Sequence, residues 1–182
     1  LLKAQFDQYD IDGYIIPSTD EYQSEYTAPY ARRLECVTGF AGSNGIAIIL
    51  KDKSLFFTDG RYLDQAAREL DKNEFEIYNI AEIAEYIPSL SLGLDDMLFT
   101  ERQLACFNKA TLKAIDVNLV DEIWSDQPKF PITPIFAYKE EYAGLASAVK
   151  LNNVRSYMKR ASGDYLLLTS LDSICWLLNI RA

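Results

Sequence analysis

Two apolar runs, Ile46-Ala47-Ile48-Ile49-Leu50 and Leu55-Phe56-Phe57, are separated only by the polar stretch Lys51-Asp52-Lys53-Ser54. Runs rich in β-branched and aromatic residues, joined by so short a turn, read as an antiparallel hairpin. Neither run alternates with polar residues, so neither strand can leave one face in water. The hairpin therefore predicts an α/β fold, a mixed sheet with helices on its faces.

The flanking segments supply strands and helices in the expected proportion. Residues 1–9 read as a helix with Leu2, Phe6 and Tyr9 on one stripe. After Asp12-Gly13, Tyr14-Ile15-Ile16 reads as a short buried strand closed by Pro17. Segment 18–32 is polar and aromatic, a loop with one helical turn. Thr58-Asp59-Gly60 leads into a helix from about Tyr62 to Leu70, with Leu63, Ala66, Ala67 and Leu70 inward. Phe75–Tyr78 alternates like a strand, Ile83–Ile87 reads as helical up to Pro88, and Leu92-Gly93-Leu94 reads as a short strand. Thr100 with Gln103 forms a capping box. Leu104, Phe107, Leu112 and Ile115 then stripe a helix of about four turns.

Pro128, Pro131 and Pro134 mark a boundary, because such a segment joins neither a helix nor a central strand. Beyond it, Tyr142 to Arg160 reads as one helix, Tyr165-Leu166-Leu167-Leu168-Thr169 as a buried strand, and Ser170–Asn179 as an apolar stretch. Phe6 through Thr19 resembles Tyr157 through Ser170, which suggests two related domains in tandem with the second cut short. The absence of an initiator Met points the same way: the chain is expected to begin and stop inside a longer protein. Leu166, Leu168 and Leu177 are then expected to be under-covered unless a partner or the first domain buries them.

Composition removes whole catalytic classes. The chain has no histidine, so neither a Ser-His-Asp unit, a Cys-His unit nor a histidine-containing zinc site can be built. Carboxylate-only chemistry, a lysine nucleophile and an all-oxygen metal site stay open. A formal charge of −9 argues against a nucleic-acid or anionic-membrane surface. No apolar run approaches the ~20 residues of a membrane span. Cys36, Cys106 and Cys175 are far apart and odd in number, which reads as reduced, partly buried thiols of a cytoplasmic protein.

Four segments invite a chemical reading. Gly39-Phe40-Ala41-Gly42-Ser43-Asn44-Gly45 could cradle an anion, which would make this a small anion-binding module. A strand follows it and Gly-Lys-Ser/Thr is absent, so a tight turn needing positive φ is preferred. In Thr58-Asp59-Gly60-Arg61-Tyr62, Asp59 suits a helix N-terminus while Arg61 is misplaced there by the helix dipole. Arg61 is therefore either half of a surface salt bridge or a group awaiting a carboxylate or ligand. Asp20, Glu21 and Glu25 have the spacing of a metal cluster, but a solvated acidic loop is the plainer reading. Arg32-Arg33 is too short for a nucleic-acid patch, and Tyr22, Tyr26 and Tyr30, at helical spacing, are expected to pack their loop against the sheet.

Several segments together resemble the front of the cytosolic, three-domain type of Xaa-Pro aminopeptidase. They are Tyr14-Ile15-Ile16-Pro17-Ser18, Gln23-Ser24-Glu25-Tyr26, Arg32-Arg33, Thr38 through Ala47, Thr58-Asp59-Gly60-Arg61-Tyr62, Asn118 through Trp124, and Leu171 through Arg181. The resemblance implies a creatinase/prolidase N-terminal-like domain over residues 1–127, a proline-rich linker over 128–140 and a partial second domain of related fold over 141–182. A "pita-bread" catalytic domain would lie beyond, holding two divalent metal ions, commonly manganese, on Asp, Glu and His ligands. The implied activity is removal of the first residue from peptides whose second residue is proline. This region would shape cleft access and substrate placement without catalysing. The resemblance also implies that Arg61 faces the cleft and contacts bound peptide, while Gly39, Gly42 and Gly45 are structural. The implied partners are peptide substrates and the chain's own catalytic domain; a homodimer is compatible. The alternative is a partner-binding domain of a catalytically dead protein of the same fold.

Overall fold

The computed structural model describes all 182 residues and divides them into two compact units, Leu1–Lys129 and Phe130–Ala182. In the first, a 3-10 turn at Leu2–Gln5 runs into helix α1 (Phe6–Tyr9). Strand β1 (Gly13–Pro17) follows, then helix α2 (Arg33–Thr38), strands β2 (Ile46–Leu50) and β3 (Ser54–Thr58), and helix α3 (Leu63–Glu69). After strand β4 (Phe75–Asn79) come helix α4 (Ile83–Tyr86), strand β5 (Ser91–Leu94), helix α5 (Glu101–Leu104) and strand β6 (Thr111–Ala114).

The two apolar runs pair antiparallel as their sequence predicts, with Ile46 opposite Phe57 and Ile48 opposite Leu55. The sheet has six strands in the order β4-β3-β2-β1-β5-β6. β1 is antiparallel to β2 and parallel to β5, and β4 and β6 run parallel to β3 and β5. β2 alone is therefore reversed. The other strands all end at one edge of the sheet, where β2 begins.

Side chains leave successive strand positions on opposite faces, and both faces are apolar. Tyr14, Ile16, Ala47, Ile49 and Phe56 meet Leu2, Phe6, Leu34, Phe40, Ala66 and Leu70 on one face. Ile15, Ile48 and Phe57 share the other with Ile83, Ile87 and Phe107. The first face carries one buried ion pair. Arg33, 8% exposed, donates to both carboxylate oxygens of Asp121 at 2.7 and 2.8 Å. Gln127 donates to the same carboxylate at 2.8 Å and to the Tyr30 carbonyl at 3.0 Å.

Several expectations need correction. Only Ala66 and Leu70 of the α3 stripe are fully buried, and Ala67 is exposed. The capping box at Thr100 forms, but the helix it opens does not reach Ile115. It stops at Leu104, a 3-10 turn spans Ala105–Phe107, and Thr111–Ala114 takes the free edge of β5. A spacing of three puts Leu112 and Ile115 on one side of a helix but on opposite faces of a strand. They pack into opposite cores, so the strand satisfies both. Cys36 and Cys106 are exposed, not partly buried, and Cys175 is intermediate. Tyr22 and Tyr26 are exposed, because 21–28 forms no helix to present them together; Tyr30 alone is buried. Helix α2 was hidden by its short length and by the glycines after it.

The second unit is built from strand β7 (Phe136–Ala137), helices α6 (Glu140–Ala143), α7 (Ser147–Arg160) and α8 (Leu171–Leu178), and strand β8 (Ile180–Arg181). The single helix expected over Tyr142–Arg160 is broken by Gly144 at φ +77°, a left-handed C-cap that ends α6. α7 is tied to α8 by Lys150, which is buried. Its ammonium donates to the Trp176 carbonyl at 2.9 Å and to Asn179 Oδ1 at 2.7 Å, and lies 4.5 Å from the Trp176 ring centre. The strand expected at Tyr165–Thr169 does not form. β7 pairs with β8, nothing pairs with 165–169, and Tyr165 and Leu167 are 95% and 85% exposed. Strand propensity without a partner does not make a strand. Leu177, expected to be under-covered, is buried, whereas Leu166 is exposed.

Replacing Asp121 with Ala strands a buried guanidinium. The expected loss is about 3 kcal/mol, the lower end for a broken buried pair because Asp121 is itself part-exposed, measured by urea denaturation. In native-state hydrogen exchange, the amides of 165–169 are expected to exchange as an open chain, while those of Tyr14–Ile16 exchange only on global opening.

Candidate functional site

The edge where β2 starts gathers loops from every part of the sheet. In α/β sheets that edge, outside the carboxyl ends of the strands, is where ligands bind. Ser18 leaves β1 there, Asn44 and Gly45 enter β2, and Asp59 leaves β3. The loops are stitched together. Ser18 N–H donates to the Gly45 carbonyl at 2.9 Å, Gly45 N–H donates back to Ser18 Oγ at 3.1 Å, and Thr58 Oγ1 donates to the Asn44 carbonyl at 2.5 Å.

Arg61 stands at this edge with its side chain 69% exposed. It is held side-on by Asp59. Arg61 Nε donates to Oδ1 at 3.0 Å, Nη2 donates to Oδ2 at 2.8 Å, and the backbone N–H of Arg61 adds a third bond to Oδ1 at 2.9 Å. Asn44 Nδ2 donates to the same Oδ2 of Asp59 at 2.7 Å. The guanidinium carbon lies 5.3 Å from the Tyr62 ring centre, and the Tyr62 hydroxyl is 2.8 Å from Ser43 Oγ. Hydrogen bonds from the Arg61 side chain, then from Asn44 and the Arg61 backbone, hold the Asp59 carboxyl far below the usual range. The same contacts hold the Arg61 guanidinium above its own. The charge that looked misplaced thus has a carboxylate partner two residues away. A cleft of about 160 Å³ borders the same loop, lined by Ser18, Glu25, Arg32, Phe40, Gly42 and Ser43.

The glycine-rich loop serves packing. Only Gly39 has a positive φ, at +76°, where it caps α2. At Gly45 a Cβ would sit 2.9 Å from the Phe56 ring and 3.0 Å from Leu34, so the residue is glycine for close approach. Four of the seven loop amides are already used: Gly39 N–H donates to the Glu35 carbonyl, Phe40 N–H to Thr38 Oγ1, Ala41 N–H to Glu69 and Gly45 N–H to Ser18. Those four are not available to cradle an anion.

Two of the three acidic residues, Asp20 and Glu21, are likewise committed. Asp20 is buried and accepts from the backbone N–H groups of Tyr22 and Ser24 at 3.0 and 2.9 Å. Glu21 accepts from the Tyr30 hydroxyl at 2.7 Å; burial and this bond push the phenol above its ordinary range. No group of three or more His, Cys, Asp or Glu residues is placed to hold a metal ion. With no histidine, Asp20 and Glu21 engaged and no third ligand beside them, these residues do not fit a dinuclear metal centre. Arg32 and Arg33 diverge: Arg32 is exposed, 3.6 Å from Glu35, and Arg33 is buried. Burial works against the Arg33 charge, and the bonds and attraction from Asp121 outweigh it, leaving the group above its ordinary value. Asn44 and Asp121 carried no signal of their roles, because their partners lie far away in sequence.

A sheet of this order, with this edge, defines a creatinase/prolidase-type N-terminal module. A family profile described as the creatinase/prolidase N-terminal domain matches residues 1–121, and a second of the same description matches residues 126–182. The chain belongs to that family. It is 34% identical to Xaa-Pro aminopeptidase 2 of Rattus norvegicus over 198 residues, covering 100% of this chain and 29% of the relative. It is 36% identical to a Xaa-Pro aminopeptidase of Drosophila melanogaster, covering 100% and 32%. The solved X-prolyl aminopeptidase of Caenorhabditis elegans, described as a cytosolic enzyme with a di-nuclear active site, superposes with TM-score 0.82 at 30% identity, over 99% of this chain and 33% of that one. The chain spans about a third of the length of these relatives. No helix is long and apolar enough to cross a membrane.

Because the Asp59 carboxyl is depressed in the folded state, its pairing is present above the ordinary carboxylate value and is lost only as pH falls through the depressed one. The Asp59 carboxyl carbon is expected to show a flat NMR shift from pH 7 to about 4 and to move only in stronger acid. In Arg61→Ala it is expected to titrate closer to the ordinary range.

Proposed function

We propose that this chain is the non-catalytic N-terminal region of a metallo-aminopeptidase that removes the first residue from peptides with proline in second position. The observation that carries the reading is the likeness to the C. elegans X-prolyl aminopeptidase over 99% of this chain, at 30% identity and TM-score 0.82. Residues 1–127 are the first domain, 128–140 the linker and 141–182 the start of a related second domain. Hydrolysis belongs to a further domain, in which two divalent metal ions, manganese by preference, would supply the nucleophile and the Lewis acid. The partners are that domain and the peptide, a homodimer is compatible, and the compartment is the cytoplasm.

This region contributes walls and one polar contact. Arg61 is exposed, rigidly seated and placed at the edge where α/β sheets bind ligands, with hydrogen-bond donors left over for a peptide. It orients substrate and takes no part in bond breaking, so its effect falls on substrate capture.

The full-length protein with manganese is expected to hydrolyse a Xaa-Pro-Xaa peptide, and residues 1–182 alone are not. Turnover by the fragment would sink the reading. A full-length protein that binds peptide without turnover favours a partner-binding role instead. Arg61→Ala in the full-length protein is expected to lower kcat/KM by about tenfold, the cost of one charge-assisted hydrogen bond. Unchanged kinetics remove Arg61 from the site.

A further inference from the structure

We infer that Asp59, seated by Asn44, sets the charge preference of the Arg61 site, so that it takes an uncharged peptide oxygen and gives no preference to a carboxylate. The inference rests on the reading that Arg61 meets bound peptide, and it concerns which peptide group is met.

An arginine alone favours carboxylates, because its planar fork matches both oxygens and its charge is opposite. Arg61 is not alone. A guanidinium has five N–H donors, and Asp59 takes the Nε–H and one from Nη2. Nη1 makes no hydrogen bond, and the side chain is 69% exposed. A ligand can reach this free edge without displacing Asp59. Displacement would also break more than the ion pair. Asp59 accepts four hydrogen bonds, three from Arg61 and one from Asn44, and the Asn44 backbone carbonyl is in turn bonded by Thr58. Glu25 lies close enough to add to the negative side of the balance. A ligand at the free edge therefore meets donors whose charge is already cancelled. A carbonyl oxygen gains the hydrogen bonds at little desolvation cost. A carboxylate gains the same bonds, pays more to leave water, and receives no net attraction.

The test is calorimetric binding to the full-length protein in EDTA, where no peptide is turned over, with hydrolysis assayed separately in manganese. Xaa-Pro peptides of three to six residues are used, each with a free C-terminal carboxylate and as the C-terminal amide, so that the carboxylate passes Arg61 at one length. In the wild type, acid and amide forms are expected to bind alike at every length. In Asp59→Asn, the acid form is expected to gain roughly fivefold over the amide at that length, about the worth of one contact ion pair in water. Asn44→Ala is expected to shift the ratio the same way by a smaller factor, because it loosens Asp59 and leaves its charge. The Arg61 Nε–H NMR signal, slowly exchanging in the wild type and fast in Asp59→Asn, reports the pairing without any ligand. A wild-type preference for the acid form, or a ratio unmoved by Asp59→Asn at every length, overturns the inference, as does failure of both forms to bind. Binding with the expected shift but no hydrolysis overturns the proposed enzyme function alone.

Discussion

The five-pair antiparallel register between Gly13–Pro17 and Ile46–Leu50 decides most of what this chain can do. It reverses β2 inside a sheet whose other strands are parallel. Two consequences follow. The reversed strand is apolar on both sides and seeds two cores at once, Ala47 and Ile49 on one face and Ile48 on the other. Its first residues also enter at the edge where its neighbours leave. That is why Asn44, which precedes β2, reaches Asp59, which follows β3, and why Ser18 after β1 closes on Gly45. A parallel strand in the same place would have carried Asn44 to the opposite edge.

Arginine is used in two ways, and the difference is burial. Arg33, the first residue of α2, is buried, and its charge persists because Asp121 supplies two short bonds within a network shared with Gln127. One guanidinium nitrogen, Nη1, is buried without a partner, which makes the remaining contacts more consequential. Arg61 has the same side-on pairing with Asp59 but stands in solvent, where screening leaves the pair little weight in stability. What the exposed pair has is geometry. It is anchored at its carboxylate and open at its other edge, an arrangement suited to recognition.

The second unit shows how far propensity goes without partners. Tyr165 through Thr169 has an apolar run like that of β1 and none of its strand neighbours, so it forms no strand, and Tyr165, Leu166 and Leu167 stay exposed. Lys150 does the opposite: a residue that ordinarily avoids burial is buried because a helix-end carbonyl, an amide oxygen and an indole face converge on it.

Periodicity and turn chemistry are local, and they made the hairpin, the Thr100 capping box, the Pro17 strand end and the α/β class readable from residues alone. The motif around Arg61 was readable as an anomaly, a positive charge at a helix start. Its answer was not, because spacing cannot say whether Asp59 turns back toward Arg61 or whether Asn44 arrives from another strand. Leu112 and Ile115 fit a helix and a strand equally well on paper. Only the vacant edge of β5 and a core on each face chose between them. Short apolar patterns are degenerate, and long-range pairing removes the degeneracy: local chemistry named the elements, and tertiary contact decided which formed and which charges met.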